Sequence, residues 1–289
     1  MAGTDEIRDG QRATWNGLAP GWDRWDSVIM DQLAPVTAAM IAHLDIAPDQ
    51  HHLDVAAGTG EPALSIAALV PAGRVVLADL APEMLAVAGR RASERNITNV
   101  ETRVCSADDL PFDDASFGSV TMRFGYMFLP DLAAATAELV RVLQPGGRLC
   151  SAVWIDPERN PWTTVAMEAI ATEVTLPPAD PDRPSMYRCA APGQVADLYA
   201  DAGLRDIAEW DVPVELVTRS PEEYWEMISD HVSLAAAALA GVDVATRDRV
   251  RAVAVGRASA YQRSGAVRIP GLARCTVGTR PAVSDPVDA

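Results

Sequence analysis

The sequence predicts an α/β fold built around a doubly wound, Rossmann-like and mostly parallel sheet. Apolar strand-like runs alternate with helical patterns from about residue 51 to 154, which is the order that produces parallel sheets. The first run ends in a Gly-rich turn at Gly58 and Gly60, and a helix signal follows at once. Ligands of such sheets bind outside the carboxyl ends of the strands, so we expect the functional site there.

The element boundaries follow from the apolar runs and from the turn residues that separate them. Strands are predicted near 51–56, 74–78, 100–104, 117–123, 147–154, 205–217 and 273–279. Helices are predicted near 61–70, 82–95, 131–143, 192–202, 221–240 and 244–264. Pro82 and Pro130 stand at or just before helix starts, and Pro145 with two glycines ends one helix. The segment 176–184 is predicted to be a Pro-rich loop.

Composition limits the classes of partner. The 289 residues carry a formal net charge of −16, which argues against nucleic acid and against an anionic membrane surface. No leader-like apolar segment and no long apolar span is evident, and the four cysteines are scattered without metal-ligand spacing. We therefore expect a cytoplasmic protein without a metal site, large enough for one domain or for a domain with a cap.

The Gly-rich turn and the acid after the second strand indicate a nucleoside-bearing cofactor. Gly58 and Gly60 allow positive φ and close backbone approach, and Asp79 can accept hydrogen bonds from ribose hydroxyls. The stretch 58–63 fits the dinucleotide pattern G-x-G-x-x-A. Glu61 would repel a pyrophosphate, however, and Asp54 suits a ligand with an ammonium group. S-adenosylmethionine has such a group and no phosphate, whereas a nicotinamide dinucleotide remains the alternative.

Two later segments carry a family resemblance. The run Leu110-Pro111-Phe112, followed by an acidic turn and Ser116-Phe117, and the run from Arg141 to Leu149 resemble the class I S-adenosylmethionine-dependent methyltransferases. The resemblance is to the ubiquinone/menaquinone-biosynthesis-type branch and related natural-product enzymes, and it covers about residues 11–155. It implies a seven-stranded sheet with an antiparallel last strand and a helical cap or lid, with S-adenosylhomocysteine as product.

This resemblance also implies a division of the chain. Residues 1–48 would form an N-terminal helical cap, and 49–155 would form the cofactor-binding core. Residues 156–289 would complete the sheet and add substrate-lid insertions at about 160–190 and 220–265. Roughly 50 residues separate the last two predicted strands, far more than a hairpin loop needs.

Cofactor contacts are assigned by the same resemblance. Asp54 would bind the amino group, and Ala56, Gly58 and Gly60 would approach the methionine part. Asp79 would hold the ribose, and the adenine would meet Leu80, Met84, Ser106, Ala107 and Asp108. Two positions depart from the family pattern, because Ala56 stands where Gly is common and Ser106 where Asp or Asn is usual.

Three further residues are predicted to lie at the same site, and two of them have a second interpretation. Trp22 belongs to a segment that resembles a cofactor-covering aromatic motif, and it would either pack near the sulfonium or anchor a helix. Arg123 and Phe124 follow the fourth strand, where they would contact the cofactor; Arg123 would otherwise form a salt bridge to a neighbouring Asp.

Methyl transfer to oxygen or carbon also needs a proton acceptor. His231 in the predicted lid and Tyr126 after the fourth strand are the candidates, with Tyr187 as a weaker one and a solvated or capping role as the alternative for His231. His51 and His52 are predicted to be structural and to lie on the face away from the cofactor. Apolar pocket candidates are Trp154, Trp162, Met186, Tyr187, Trp225 and Met227.

The function predicted from the sequence is methyl transfer to an O, C or N atom of a small, largely apolar molecule, in secondary-metabolite or quinone-like biosynthesis. A homodimer is left open. The alternatives are a nicotinamide-dependent oxidoreductase and a protein that keeps the fold without transferring a methyl group.

Overall fold

A computed structural model describes residues 3–176, 180 and 183–282 of the chain. Most of the predicted Pro-rich loop, namely 177–179 and 181–182, lies outside these residues. The helices are α1 (Thr4–Arg24), α2 (Asp26–Ala42), α3 (Ala63–Ala67), α4 (Pro82–Glu94), α5 (Leu132–Val142), α6 (Pro161–Ile170), α7 (Gln194–Asp201), α8 (Pro221–His231), α9 (Ser233–Leu239) and α10 (Val244–Ser259). The strands are β1 (His51–Val55), β2 (Arg74–Asp79), β3 (Val100–Val104), β4 (Phe117–Arg123), β5 (Leu143–Trp154), β6 (Arg205–Thr218), β7 (Gln262–Arg263) and β8 (Ala266–Thr279).

The strands form one mixed sheet in the order β3-β2-β1-β4-β5-β8-β6, and β7 pairs with β8 outside this path. Neighbouring strands from β3 to β5 are parallel, whereas β8 runs antiparallel to both β5 and β6. This confirms the predicted fold class. The two-residue β7 is the one addition to the predicted set of strands within the described residues.

Burial explains why the central strands read as continuous apolar runs. Strands β1 and β2 are buried after their first residue, because helices cover both faces of a parallel sheet. The edge strand β3 is largely exposed, and β6 alternates exposed and buried positions along its second half. The most buried part of the sheet is therefore the part whose carboxyl ends meet at the predicted site.

Several helix boundaries differ from the prediction. The helix expected over 61–70 is only the five-residue α3, since the chain turns through Pro62 first. The helix expected over 221–240 is divided at Val232, whose extended backbone separates α8 from α9. Strand β8 begins seven residues before the predicted 273, because it pairs with almost the whole of β6.

The N-terminal helices are tied to the core by ionic contacts. The buried guanidinium of Arg91 on α4 lies 2.6 Å from Asp26 and 3.2 Å from Asp23, and it donates to the carbonyl of Thr59. Helix α1 packs on α4 and α8, and α2 packs on β6. Helix α2 also contacts β8 and β5. In the described part of the chain, no helix combines the length and apolarity that a membrane crossing requires.

Candidate active site

A large cavity opens above the carboxyl ends of β1, β2 and β4. The enclosed space measures about 160 Å³, and the region measures about 1320 Å³ when the open solvent at its mouth is included. The predicted residues on its wall are Trp22, Ala56, Gly58, Asp79, Leu80, Met84, Ser106, Ala107, Arg123, Phe124 and His231.

The loop after β1 has the backbone conformation that its glycines allow. Gly58 has φ 53° and Gly60 has φ 118°. A Cβ atom on Gly60 would lie 2.7 Å from a methyl carbon of Leu64, so this glycine also permits close packing of the loop against α3. Gly60 itself is behind the cavity wall, whereas Gly58 is on it.

Two non-glycine residues adopt the left-handed conformation at the ends of adjacent strands. Ala56 follows β1 with φ 55°, and Phe124 follows β4 with φ 61°. L-residues pay about 1–2 kcal/mol for this conformation, and strained backbone of this kind concentrates at functional sites. Both residues line the cavity, so the strain lies where the sheet presents its strand ends to a ligand.

Asp79 is held in place by the backbone of the loops around it. Its Oδ2 accepts from the N–H of Gly58 at 2.8 Å, and its Oδ1 accepts from the N–H of Ala81 at 2.8 Å. Burial raises the pKa of Asp79, while these two donors act in the opposite direction. Each carboxylate oxygen keeps a lone pair, so the side chain is oriented before any ligand binds.

Asp54 lies behind the cavity wall, at the end of a buried chain of hydrogen bonds. Thr121 donates its hydroxyl proton to Oδ1 of Asp54 at 2.6 Å. The same hydroxyl oxygen must then accept from Nε2 of His52 at 3.0 Å, which leaves Nδ1 of His52 to accept from Ser119 at 2.7 Å. His52 therefore lies on the same strand face as Asp54, and it does not line the cavity.

Burial shifts the pKa values of the two titratable groups in this series of hydrogen bonds. Burial raises the pKa of Asp54 to about 7, although Thr121 and the charge of Arg123 lower it. Burial lowers the pKa of His52 to about 3. The second oxygen of Asp54, Oδ2, is buried without a hydrogen-bond partner among the described residues. This orphaned acceptor suits a donor that arrives with a ligand, directly or through water.

Helix α1 covers the part of the cavity wall that follows β3. Arg8 donates from Nε to Ser106 at 3.1 Å and from a terminal nitrogen to Asp108 at 2.9 Å, and Ser106 donates to Asp108. Ser106 and Ala107 line the cavity, but Asp108 does not. The expected contact between Asp108 and a ligand is therefore replaced by an ion pair with α1. Arg8 itself lines the cavity, and no sequence motif marks it.

Among the described residues, Arg123 lacks the carboxylate partner that a buried arginine ordinarily has. It donates to the hydroxyl of Thr37 at 2.9 Å and to the sulfur of Met30 at 3.6 Å, both on α2. Among the described residues no carboxylate lies within 4 Å of it, so the predicted alternative of a salt bridge to a neighbouring Asp is wrong. Burial lowers its pKa.

Aromatic side chains make a continuous series of ring contacts along the cavity wall. Phe124 stacks on Trp154 at 4.3 Å, and Trp154 contacts Trp162 at 4.9 Å. The series continues through ring pairs that involve His231, Trp22, Trp15 and Phe128. We call this series, which also lines the cavity, the aromatic belt.

His231 closes the belt at the end of α8. Its Nδ1 lies 2.6 Å from the carbonyl oxygen of Met227 and must donate to it, since a carbonyl only accepts. The lone pair of a neutral ring is therefore on Nε2, which makes no hydrogen bond to the described residues. Burial lowers the pKa of His231 to about 4. The backbone carbonyl of His231 accepts from Trp22 at 3.2 Å, so Trp22 both faces the cavity and anchors α1.

Tyr126 does not face the cavity, which contradicts its prediction as a proton acceptor. Its side chain is 0% exposed, and its hydroxyl is 3.2 Å from that of Thr136 on α5. Burial raises its pKa well above the usual range. The turn at 126–128 directs the ring into the core. Of the predicted pocket residues, Trp154, Trp162 and Met186 line the cavity, whereas Tyr187, Trp225 and Met227 do not.

Comparisons with known proteins agree with this geometry. Residues 53–147 match the family described as methyltransferase domain. Over 99 residues the chain is 48% identical to demethylmenaquinone methyltransferase of Thermus thermophilus, which is 34% of this chain and 44% of that protein. The chain spans about half the length of the curated relatives it matches. The resemblance predicted from the sequence is confirmed for this region.

Two solved structures show the same fold over most of the chain. One is phosphoethanolamine N-methyltransferase 2 of Haemonchus contortus, with a TM-score of 0.57 at 18% identity, covering 97% of this chain and 61% of that one. The other is the [4+2]-cyclase SpnF, with a TM-score of 0.56 at 19% identity, covering 93% and 97%. The fold is therefore shared by proteins named for different chemistries.

Proposed function

We propose that this chain, whose residues 53–147 form a class I methyltransferase domain, binds S-adenosylmethionine and transfers its methyl group to an O, C or N atom of a small, largely apolar molecule. The observation that carries the proposal is that two kinds of surface line one cavity, and we call them its two halves. One half has the pre-oriented Asp79 carboxylate and the Gly58 loop, and the other has the aromatic belt. Such a division suits a nucleoside-bearing cofactor beside an apolar acceptor.

The residues of the first half fit this cofactor. Asp79 would accept from the two ribose hydroxyls, since its backbone donors already orient both oxygens. The orphaned Oδ2 of Asp54 would accept from the ammonium group, directly or through water. Leu80 and Met84 would pack on the adenine. Glu61 lines the same half and pairs with Arg95 at 2.8 Å, which places a carboxylate where a dinucleotide would need a positive helix end.

The second half fits an apolar acceptor with a flat ring. Stacked and edge-on aromatic faces line it, and such surfaces favour planar apolar ligands. Trp22 would also present its face near a sulfonium, which an aromatic quadrupole stabilises. A curated relative carries the name demethylmenaquinone methyltransferase, and we infer a quinol-like or related ring for this chain as well.

The chain's own part in the reaction is positioning, exclusion of water and acceptance of a proton. When bound, the cofactor would supply an electrophilic methyl group that an acceptor atom displaces in line. Helices α1 and α8 close the cavity through the contact of Trp22 with the carbonyl of His231, and this closure removes water. Nε2 of His231 is the group that would receive the acceptor's proton, because Met227 fixes the other nitrogen as a donor.

The test is calorimetric titration of the purified chain with S-adenosylmethionine, S-adenosylhomocysteine and NADH. We expect the first two to bind and NADH not to bind. Asp79→Asn should weaken S-adenosylhomocysteine at least tenfold, because it removes a charged acceptor of two hydrogen bonds. Asp109→Asn, at an exposed neighbouring carboxylate, is the matched control and should bind normally.

Other results would redirect the proposal. Binding of NADH alone would make the Gly58 loop a dinucleotide site and favour the oxidoreductase. Tight cofactor binding with no methyl transfer to any of a panel of phenols, quinols, enols and amines would favour a protein that keeps the fold for another reaction, as the name of the similar cyclase illustrates.

A further inference from the structure

Arg123 and Gln32 are two polar residues of the cavity wall that the function above leaves without a task. Both line the cavity. Arg123 ends β4, and the sheet order places β4 between β1 on the cofactor side and β5 on the side of the aromatic belt. Gln32 is on α2, as are both groups to which Arg123 donates.

The guanidinium of Arg123 has donors to spare. An arginine carries five N–H groups, and Thr37 and Met30 take one each. The nearest carboxylates, those of Asp54, Glu61 and Asp26, favour its charge from a distance. Among the described residues none of them lies within 4 Å. A cation in a largely apolar, partly desolvated wall without a paired anion is costly unless a ligand completes it.

Gln32 also carries a hydrogen-bond donor without a partner. Its side chain is 2% exposed, and its Nε2 is buried without a hydrogen-bond partner among the described residues. Its neighbours along the helix face, Ile29 and Leu33, are apolar and also line the cavity. An unpaired buried amide costs about as much as a lost hydrogen bond. Two side chains with unused donors therefore line the same cavity, and Arg123 contacts the helix that carries Gln32.

We propose that Arg123 and Gln32 form an oxyanion-binding site in the middle of the cavity, which holds a carboxylate or another anionic oxygen of a bound molecule. The inference rests on the function proposed above and deepens it. Such an oxygen has two sources: an acidic group on the acceptor, such as a carboxylate, enolate or phenolate, or the carboxylate of the cofactor's methionine part. In the first case the site would select acidic acceptors over their neutral counterparts.

The experiment compares ligands that differ only in this group. Wild type, Arg123→Met and Gln32→Leu are titrated with S-adenosylhomocysteine and with 5′-methylthioadenosine, which lacks the amino-acid end. Each protein, with and without S-adenosylhomocysteine, is then titrated calorimetrically with 2-naphthoate and with its neutral methyl ester. Arg148→Met is the control, since Arg148 is a half-buried arginine outside the cavity wall that donates to the carbonyl of His43.

An acceptor site predicts that Arg123→Met weakens 2-naphthoate at least about tenfold and leaves the ester, S-adenosylhomocysteine and 5′-methylthioadenosine within twofold. A cofactor-carboxylate site predicts at least about a tenfold loss for S-adenosylhomocysteine alone. Gln32→Leu should show a smaller loss for the same ligand. If no ligand's affinity depends on Arg123, the proposal is overturned. If wild type binds neither nucleoside, the proposed function fails, while the naphthoate arm still tests this site.

Thermal unfolding without ligand separates a binding role from a structural one. A binding residue with an unpaired charge predicts that Arg123→Met melts at the same or a higher temperature than wild type, because the variant removes a partly desolvated cation. A lower melting temperature together with unchanged affinities would assign Arg123 to the packing of α2 and would contradict the proposal.

Discussion

The buried carboxylate of Asp54 makes a quantitative prediction about stability. Its pKa is about 7 in the folded chain, against an ordinary value of 3.8. Between these two values the folded state holds a proton that the unfolded state has released. The free energy of unfolding must therefore fall as the pH rises from about 4 to about 7, and stay level above that. Three pKa units at 1.36 kcal/mol each amount to about 4 kcal/mol.

Asp54→Asn isolates this contribution. Asparagine keeps an oxygen for the hydroxyl of Thr121 and carries no charge, so the variant loses the pH dependence that Asp54 causes. Packing and hydrogen-bond differences between the two proteins do not change with pH. The free energy of unfolding of the variant, relative to wild type, should therefore rise by about 3 kcal/mol between pH 5 and pH 8.

The difference must be measured because two histidines act in the opposite direction. His52 and His231 have pKa values of about 3 and about 4, both below the ordinary 6.5. They make the folded state more stable as the pH rises towards 6.5 and can hide the effect of Asp54 in wild type alone. Urea unfolding of both proteins at pH 5, 6, 7 and 8 removes this shared trend, with Asp109→Asn as the control for one lost charge. A difference that stays constant within about 0.5 kcal/mol would refute the reasoning.

Three further predictions concern the cavity wall. Ala56→Gly relieves a left-handed backbone and should raise the free energy of unfolding by about 0.5–1 kcal/mol; Ala115→Gly, with the same φ of 55° away from the cavity, should do likewise, and only the first should change cofactor affinity. Arg8→Met should speed amide hydrogen exchange in the first turns of α1 about tenfold, whereas Arg12→Met, which removes an exposed pair within α1, should not. His231→Gln should lower the rate of methyl transfer about 10²–10⁴-fold with little change in S-adenosylhomocysteine affinity, if that residue accepts the proton.

Local sequence signals were sufficient for most of the sheet. The runs that form β1 to β4 are short, apolar and bounded by turn residues, and their predicted ends agree with the structure within a residue. The prediction for β8 was too short, because the first half of that strand contains Pro270 and is specified by pairing with β6 more than 50 residues away. The prediction did not separate α9 from α8, because one extended residue beside an Ala-rich stretch does not interrupt the helical spacing of apolar residues.

The same distinction applies to the cavity. Gly58 and Asp79 belong to a motif within some twenty residues, so their proximity followed from the strand–turn–helix pattern. Arg8 could not be predicted, because its contact with Asp108 crosses 100 residues of sequence. Gln32 did leave a signal, because it is a polar residue among apolar ones on the inner face of α2. Without the cavity, however, this pattern does not distinguish a binding residue from an isolated polar residue in the core.

Arg123 shows why such residues need the structure. From the sequence, a cation at the end of a central strand is equally well explained by a salt bridge to a neighbouring Asp or by contact with a ligand. The folded chain decides between them, because its acids have other partners: Glu61 pairs with Arg95, Asp26 with Arg91, and Asp54 accepts from Thr121. A partly desolvated guanidinium without a paired anion lowers stability. An anionic oxygen that enters the cavity with a ligand would supply that partner, and this is the role that we infer for Arg123.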